Sequence, residues 1–268
     1  MITSPDLSYS NKLTLEEIRK IASNLWPERV VPAATPYAAF AESGLRYAFA
    51  ASHTARRDVL DIASGTGIGS SFLLEGGAKS VTGVDVSEEC VTLASKLFPS
   101  CRFMTGDGCA LPFPDASFDV VVSFETIEHV SDCSKFIDSC HRVLKHPGTL
   151  ILSTPNRLVS RFTPNRFHIK EFYREELDGL IGSRFSHFEV FAQNPVNLLS
   201  FVPMRTCVRL LETAKLKEVL KKLLRPRHSE LTQDWSFEPS KLDQSHRVYP
   251  YEEGRVRKPT YLVVVAKK

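Results

Sequence analysis

The sequence is short of the features that would take it out of the cytoplasm. No apolar run reaches the roughly 20 residues of a membrane-spanning helix. The opening residues, MITSPDLSYSNKLTLEEIRK, lack the basic start and apolar core of a secretion signal. A cytoplasmic protein is therefore expected. Six cysteines are present, at positions 90, 101, 109, 133, 140 and 207, but no two form a C-x-x-C pair. That spacing supports neither a zinc site nor a disulfide framework, so the thiols are assigned to packing and loops and no metal is expected. An excess of charge of one sign is lacking as well, with 34 basic residues against 31 acidic. A formal net charge of +3 makes no case for nucleic acid.

What remains is a chain of 268 residues with 43% hydrophobic content, enough for one full core and an insertion. Its most informative stretch is 58–90, DVLDIASGTGIGSSFLLEGGAKSVTGVDVSEEC. Val59, Leu60 and Ile62 form a buried strand. Gly65, Gly67 and Gly69 turn it into a helix, and residues 81–84 form a second strand that ends on Asp85. Asp85 falls about 20 residues past the first glycine, where an acid meets ribose hydroxyls in a nucleoside half-site. A dinucleotide fingerprint would need glycine where Ser70 stands. Further strands are predicted at 102–104, 119–124 and 149–153, with a helix over 136–144 before the last of them. The strand 261–266 should pair antiparallel with 188–192, leaving a long connection between them.

The glycine loop, opened by Asp61, resembles the D-x-G-x-G-x-G loop of class I S-adenosylmethionine-dependent methyltransferases, with Ala63 in place of the first glycine. The added methyl predicts a slightly tighter loop. GDGCALPFPDASFDVVVSFETIEHV and HRVLKHPGTLILSTPNR resemble the same family in its ubiquinone-methylase-like, type 11 small-molecule branch, over roughly residues 30–191. The resemblance implies an α/β, Rossmann-like fold: a seven-stranded, mostly parallel sheet with helices on both faces and an antiparallel last strand. It divides the chain into an N-terminal helical lid (1–57), a cofactor-binding core (58–195), an insertion that serves as a substrate lid (196–258) and the last strand (259–268). Helices are expected over 14–24, opened by a Thr14/Glu17 capping box, and near 37–52.

The implied cofactor is S-adenosyl-L-methionine, and each of its groups has a candidate partner. Asp85 offers two oxygens to the ribose hydroxyls, and Val86 packs on the adenine. Asp107 matches the family's acceptor for the adenine amine, with backbone from Gly108 and Cys109. Backbone N–H groups around Gly65 and Gly67, at a helix start, suit the methionine carboxylate. Asp61 either braces the loop or meets the amino group. The segment 123–127, with Phe124 and Glu125, carries no cation to oppose the sulfonium.

Methyl transfer is a direct displacement, for which alignment supplies most of the acceleration. A base is needed only for a hydroxyl or protonated-amine acceptor, and His129, just past the fourth strand, is the first candidate. His168 is the second. Asn156, Arg157, Lys170 and Glu171 surround the same entrance, and Tyr37, Trp235 and Asn156 are the substrate candidates. The insertion reads over 198–224 as basic amphipathic helices, which either cover the sheet or lie on anionic membrane, and over 228–251 as a long aromatic loop. A small-molecule acceptor in secondary-metabolite, sugar or quinone biosynthesis, methylated at O or N, is expected. No N-P-P-Y-type tetrapeptide replaces SFET, which argues against a nucleic-acid partner. The alternatives are a nicotinamide-dependent dehydrogenase, opposed by Ser70 and the closing hairpin, and a non-catalytic cofactor-binding regulator.

Overall fold

The computed structural model describes residues 37–162, 164–197, 247–255 and 257–268. The helix expected over 14–24, the basic helices over 198–224, and the side chains of Tyr37 and Trp235 lie outside the described ones. Chain order runs α1 (Tyr37–Ala51), β1 (Asp58–Ile62), α2 (Ile68–Glu75), β2 (Ser80–Asp85), α3 (Glu88–Leu97), β3 (Arg102–Thr105) and β4 (Phe118–Phe124). It continues with α4 (Cys133–Val143), β5 (Leu144–Pro155), the short α5 (Arg157–Ser160), α6 (Arg174–Gly182), β6 (His187–Asn197), β7 (Tyr249–Pro250) and β8 (Arg257–Lys267). The helix predicted at 136–144 begins three residues earlier, because the Asp132 carboxylate accepts from Lys135 N at 2.9 Å and caps it.

All strands join one sheet in the order β3-β2-β1-β4-β5-β8-β6-β7. The β1–β5 ladders are parallel, and β8 runs antiparallel to both β5 and β6. The sheet thus has eight strands rather than seven. The additional strand, Tyr249–Pro250, pairs with Phe191 and Ala192 at the edge and lies in the stretch expected to be loop. It is two residues long and carries a proline, which an edge tolerates because no further ladder is required there.

Alternation along the strands builds two cores. Val59, Val120 and Val122 face α1 and α2, where they meet Phe40, Phe72 and Leu73. Leu60, Ile62 and Val121 face the other way, toward Phe136 of α4 and Leu177 of α6. Burial on both faces is what a valine-rich parallel sheet requires. Because β2 lies on one side of β1 and β4 on the other, the loops after β1 and β4 diverge at the strands' C-terminal ends. That divergence opens a crevice at the sheet's switch point.

Candidate active site

The crevice is a cavity of about 880 Å³, large for a single ligand pocket. Its first wall is backbone. After β1 the chain passes through Ala63 (φ 57), Gly65 (φ 56) and Gly67 (φ 84), all left-handed, and the turn is closed by Ser64 N donating to Val84 O and Gly67 N to Ser64 O, both at 3.0 Å. Gly65 N donates to Asp85 Oδ2 at 2.9 Å, and Ser87 N donates to Asp85 Oδ1 at 2.9 Å. These two donors set the plane of a buried carboxylate whose capacity is about four hydrogen bonds. Val86 lines the cavity 67% exposed, an apolar surface held open beside an acid. Asp107 accepts from Cys109 N at 2.8 Å and caps the turn Gly108–Ala110. A side chain at Gly108 would come within 2.6 Å of the Phe136 ring, so glycine alone lets this loop lie on α4. Asp85, Val86, Asp107, Gly108 and Cys109 share the cavity with Ala63, Gly65, Phe124 and Glu125.

Two of the expected cofactor residues stand elsewhere. Asp61 is fully buried outside the cavity wall, receiving Ser70 Oγ at 2.6 Å and Tyr47 OH at 3.2 Å. Burial pushes its carboxyl up to about 7, against the pull of those two donors. It supports the glycine loop from beneath. Gly67 does not line the cavity either: a Cβ there would stand 2.7 Å from Phe103 and 2.8 Å from Ala94. Its glycine answers to φ and to packing against α3 and β3. Ala63 is more than a tightening methyl, since it holds a left-handed conformation that costs an L-residue about 1–2 kcal/mol.

The second wall is made of charged side chains. Arg46 of α1 is 4% exposed; it donates to Gln193 Oε1 at 2.8 Å, stands 4.0 Å from Glu125 Oε1 and lies over the Tyr261 ring at 4.4 Å. Burial works against its charge, but Glu125, Tyr261, Glu42 and Glu128 together hold its pKa raised. Glu125 takes a left-handed φ of 51 and accepts from Ser153 Oγ at 2.7 Å. Glu128 is fully buried and accepts from Thr154 Oγ1 at 3.0 Å through Oε2. Burial, with Glu125 nearby, pushes its carboxyl well above the usual range.

Both expected histidines reach this wall, with ring centroids 4.9 Å apart and edge-on. His129 Nδ1 lies 3.0 Å from the Phe167 carbonyl. His168 Nδ1 lies 2.7 Å from Glu171 Oε1, and Ser160 Oγ donates to the other Glu171 oxygen at 2.6 Å. Asn156 does not line the cavity: its Oδ1 accepts from Leu158 N and its Nδ2 donates to Pro259 O. It is a helix cap and a clamp on β8. Sequence reasoning missed Arg46, Tyr47 and Tyr261, whose positions depend on contacts across the whole chain. A signal existed for the first: an arginine between Leu45 and Tyr47 on an apolar helix needs buried partners.

A family model, the methyltransferase domain, matches residues 60–152. The chain is 41% identical over 129 residues to a "Probable S-adenosylmethionine-dependent methyltransferase" of Mycobacterium tuberculosis, covering 47% of each. It is 31% identical over 159 residues to the demethylmenaquinone methyltransferase of Thermotoga maritima, covering 58% of this chain and 67% of that protein. The chain belongs to the S-adenosylmethionine-dependent methyltransferases. This methyltransferase chain spans about half the length of the first curated relatives it matches. Its fold is that of an S-adenosylmethionine-dependent methyltransferase from Mesorhizobium loti, with a TM-score of 0.52 at 15% identity over 85% of this chain and 100% of that one. It is equally that of the [4+2]-cyclase SpnF, with a TM-score of 0.54 at 18% identity over 88% and 84%. Likeness at that level speaks for the scaffold, and the reaction must be argued from the site.

The residues of the methyltransferase cavity fit the family cofactor. The left-handed loop at Ala63 and Gly65, the braced carboxylate of Asp85 and the exposed face of Val86 together offer polar backbone, acceptors and an apolar surface to an anion, a ribose and an adenine.

Proposed function

We propose that the protein transfers a methyl group from S-adenosylmethionine to an oxygen or nitrogen atom of a small molecule, a quinone-type aromatic being the first class to try. The cofactor supplies a methyl carbon made electrophilic by its sulfonium. The chain does the rest. Loop backbone around Ala63 and Gly65, with the Gly65 N–H kept on Asp85, would hold the carboxylate end, Asp85 the ribose, Val86 the adenine face and Asp107 the adenine amine, with backbone of Gly108 and Cys109 beside it. Glu125 lies at the junction of the two walls. Its negative charge, balanced by Arg46, leaves no net cation facing the sulfonium.

The observation that carries this reading is one cavity shared by a backbone wall and a wall bearing His129 and His168. A small acceptor entering between them meets two imidazoles across from the cofactor loops. For a hydroxyl acceptor and a wall that holds no ion, His129 Nε2 is the atom placed to accept the proton, since Nδ1 is held by the Phe167 carbonyl, and His168, held by Glu171, stands beside it. The quinone class is supported by the names of the Thermotoga demethylmenaquinone enzyme and, at 36% identity over 139 residues, the 2-methyl-6-phytyl-1,4-hydroquinone methyltransferase of Synechocystis, of which 44% is covered, and transfer to oxygen by that of the ubiquinone biosynthesis O-methyltransferase of Pseudomonas aeruginosa, at 39% identity over 109 residues, of which 46% is covered. Incubation with methyl-labelled cofactor and a panel of hydroquinones, catechols and sugars, read by mass spectrometry, should give a labelled product from the aromatic set. Replacing His129 by alanine should lower turnover by about 100-fold while cofactor affinity stays near the parent's. Label on sugars alone would overturn the quinone class, and a loss below about tenfold would leave alignment as the whole mechanism.

A further inference from the structure

Glu128 presents an unusual defect. It is fully buried, and while Oε2 receives Thr154, Oε1 has no hydrogen-bond partner among the described residues. A buried carboxylate oxygen without a partner costs free energy, and such an atom asks for a ligand. His129 and His168 offer nitrogen atoms that, with a Glu128 oxygen, all lie within 4.8 Å of one another. Ligands about 2.1 Å from a divalent ion stand roughly 3 to 4 Å apart, so a closure of about 1 Å makes a coordination set.

The orientation of the two rings adds a second argument. A carbonyl and a carboxylate can only accept, so the contacts from His129 Nδ1 to Phe167 O and from His168 Nδ1 to Glu171 Oε1 place the proton of each ring on Nδ1. The lone pairs are therefore on Nε2. Asn165 Nδ2 stands 3.0 Å from His168 Nε2, where an amide donor meets that lone pair and has to give way when an ion binds. Carboxylate and backbone acceptors behind the imidazole are the arrangement that orients histidine toward a metal. Ser160, donating to Glu171, extends the support by one more bond.

We propose that Glu128, His129 and His168 bind a divalent transition-metal ion at the acceptor wall, through one carboxylate oxygen and two imidazole nitrogens. Two nitrogens and an oxygen suit manganese, iron, cobalt or zinc better than magnesium. Three protein ligands leave coordination positions for water or for an oxygen atom of the acceptor, the pattern of a catalytic site. An ion there lowers the pKa of a hydroxyl bound to it. It also occupies the lone pairs that would otherwise make the histidines bases. The site was not expected from the sequence because the search for paired cysteines passes over a Glu-His step joined to a histidine on a distant loop.

The catalytic use of the ion rests on the methyl-transfer reading, whereas its binding does not. Tag-free, chelator-stripped protein is titrated with Co2+ and Mn2+, and the same samples are titrated with S-adenosylhomocysteine, so that a failed cofactor site and a failed metal site are told apart. One equivalent of Co2+ per chain is expected, and pulsed EPR of bound Mn2+ should show imidazole nitrogen coupling. Glu171→Gln should weaken metal binding by about 10- to 100-fold with S-adenosylhomocysteine affinity unchanged, and His168→Ala should weaken it further. His53→Ala, at a distant histidine, should leave it alone. Absence of saturable binding in the parent, absence of nitrogen coupling, or equal binding by His168→Ala and the parent overturns the proposal. If His168→Ala fails to fold, the parent's EPR signal and Glu171→Gln still decide.

Discussion

The two walls of the cavity are built on opposite principles. The side proposed for the cofactor, from Ala63 to Cys109, is shaped by backbone: left-handed turns at Ala63 and Gly65 and one acid held by two N–H groups. The side proposed for the acceptor is shaped by ionisable side chains: Arg46, Glu125 and Glu128 lie together beside two histidines, tied to residues far away in sequence. A backbone wall demands particular residues at fixed local spacing, so it tolerates change in few positions and suits a ligand that never varies. A wall of side chains can be rebuilt by substitution. It suits the partner that differs from one relative to the next.

If the comparison holds, the cofactor half should break under changes of backbone and the acceptor half under changes of charge. The largest effect is expected for Gly67→Val. A left-handed φ and contacts under 3 Å to Phe103 and Ala94 should together cost about 4 kcal/mol of stability, measured by denaturant unfolding. A change below about 1 kcal/mol would show that the loop is soft and the first half of the contrast wrong. Arg46→Met comes next, at about 3 kcal/mol, since it leaves Glu125 and Gln193 without their buried partner; a stability equal to the parent's would mean that the buried charges are replaceable by packing.

A smaller effect sharpens the border between the walls. Asp61 has a folded pKa of about 7 against an ordinary 3.8, so the folded state binds the proton more tightly than the unfolded one. Its contribution to stability is fully present below about pH 4 and is lost as pH rises to about 7, with a slope of up to about 1.4 kcal/mol per pH unit. Asp61→Asn, which keeps an acceptor for Ser70 and Tyr47, should flatten that stretch of the stability curve. An unchanged slope would assign it to another group. Smallest of all, Ala63→Gly should relieve left-handed strain and raise the unfolding free energy slightly, by no more than about 1 kcal/mol after the greater unfolded-state freedom of glycine is counted, read as a small rise in melting temperature.

The same contrast explains what could be read from the sequence. Strands β1, β2 and β4 are rich in apolar residues, and the loops after β1, β2 and β3 carry their conformational demands in their residue types, so the gathering of Asp85, Val86, Asp107 and Gly108 at one crevice was legible. The closing hairpin of β6 and β8 was legible for the same reason. Arg46 was not, because its partners Gln193 and Tyr261 follow 147 residues later or more, and no local pattern encodes such a meeting. Gly67 stands outside the cavity, and the contacts of Asp61 match the bracing role among the two left open for it, because a motif states which residues recur and leaves open whether each faces the ligand or the core. Asn156 was legible as polar and near the entrance, but its amide is engaged on both sides by the backbone. The short strand at Tyr249 escaped because two residues at a sheet edge carry no periodicity.

The central claim is that the backbone wall binds S-adenosylmethionine through Asp85. Calorimetric titration of the parent and of Asp85→Ala with S-adenosylhomocysteine, alongside a nicotinamide dinucleotide, tests it most directly. The account predicts one equivalent bound by the parent, no dinucleotide binding, and a loss of about 1.5 to 3 kcal/mol in the variant, roughly ten- to a hundredfold in affinity. Equal affinity in parent and variant, or tight binding of the dinucleotide, would contradict it.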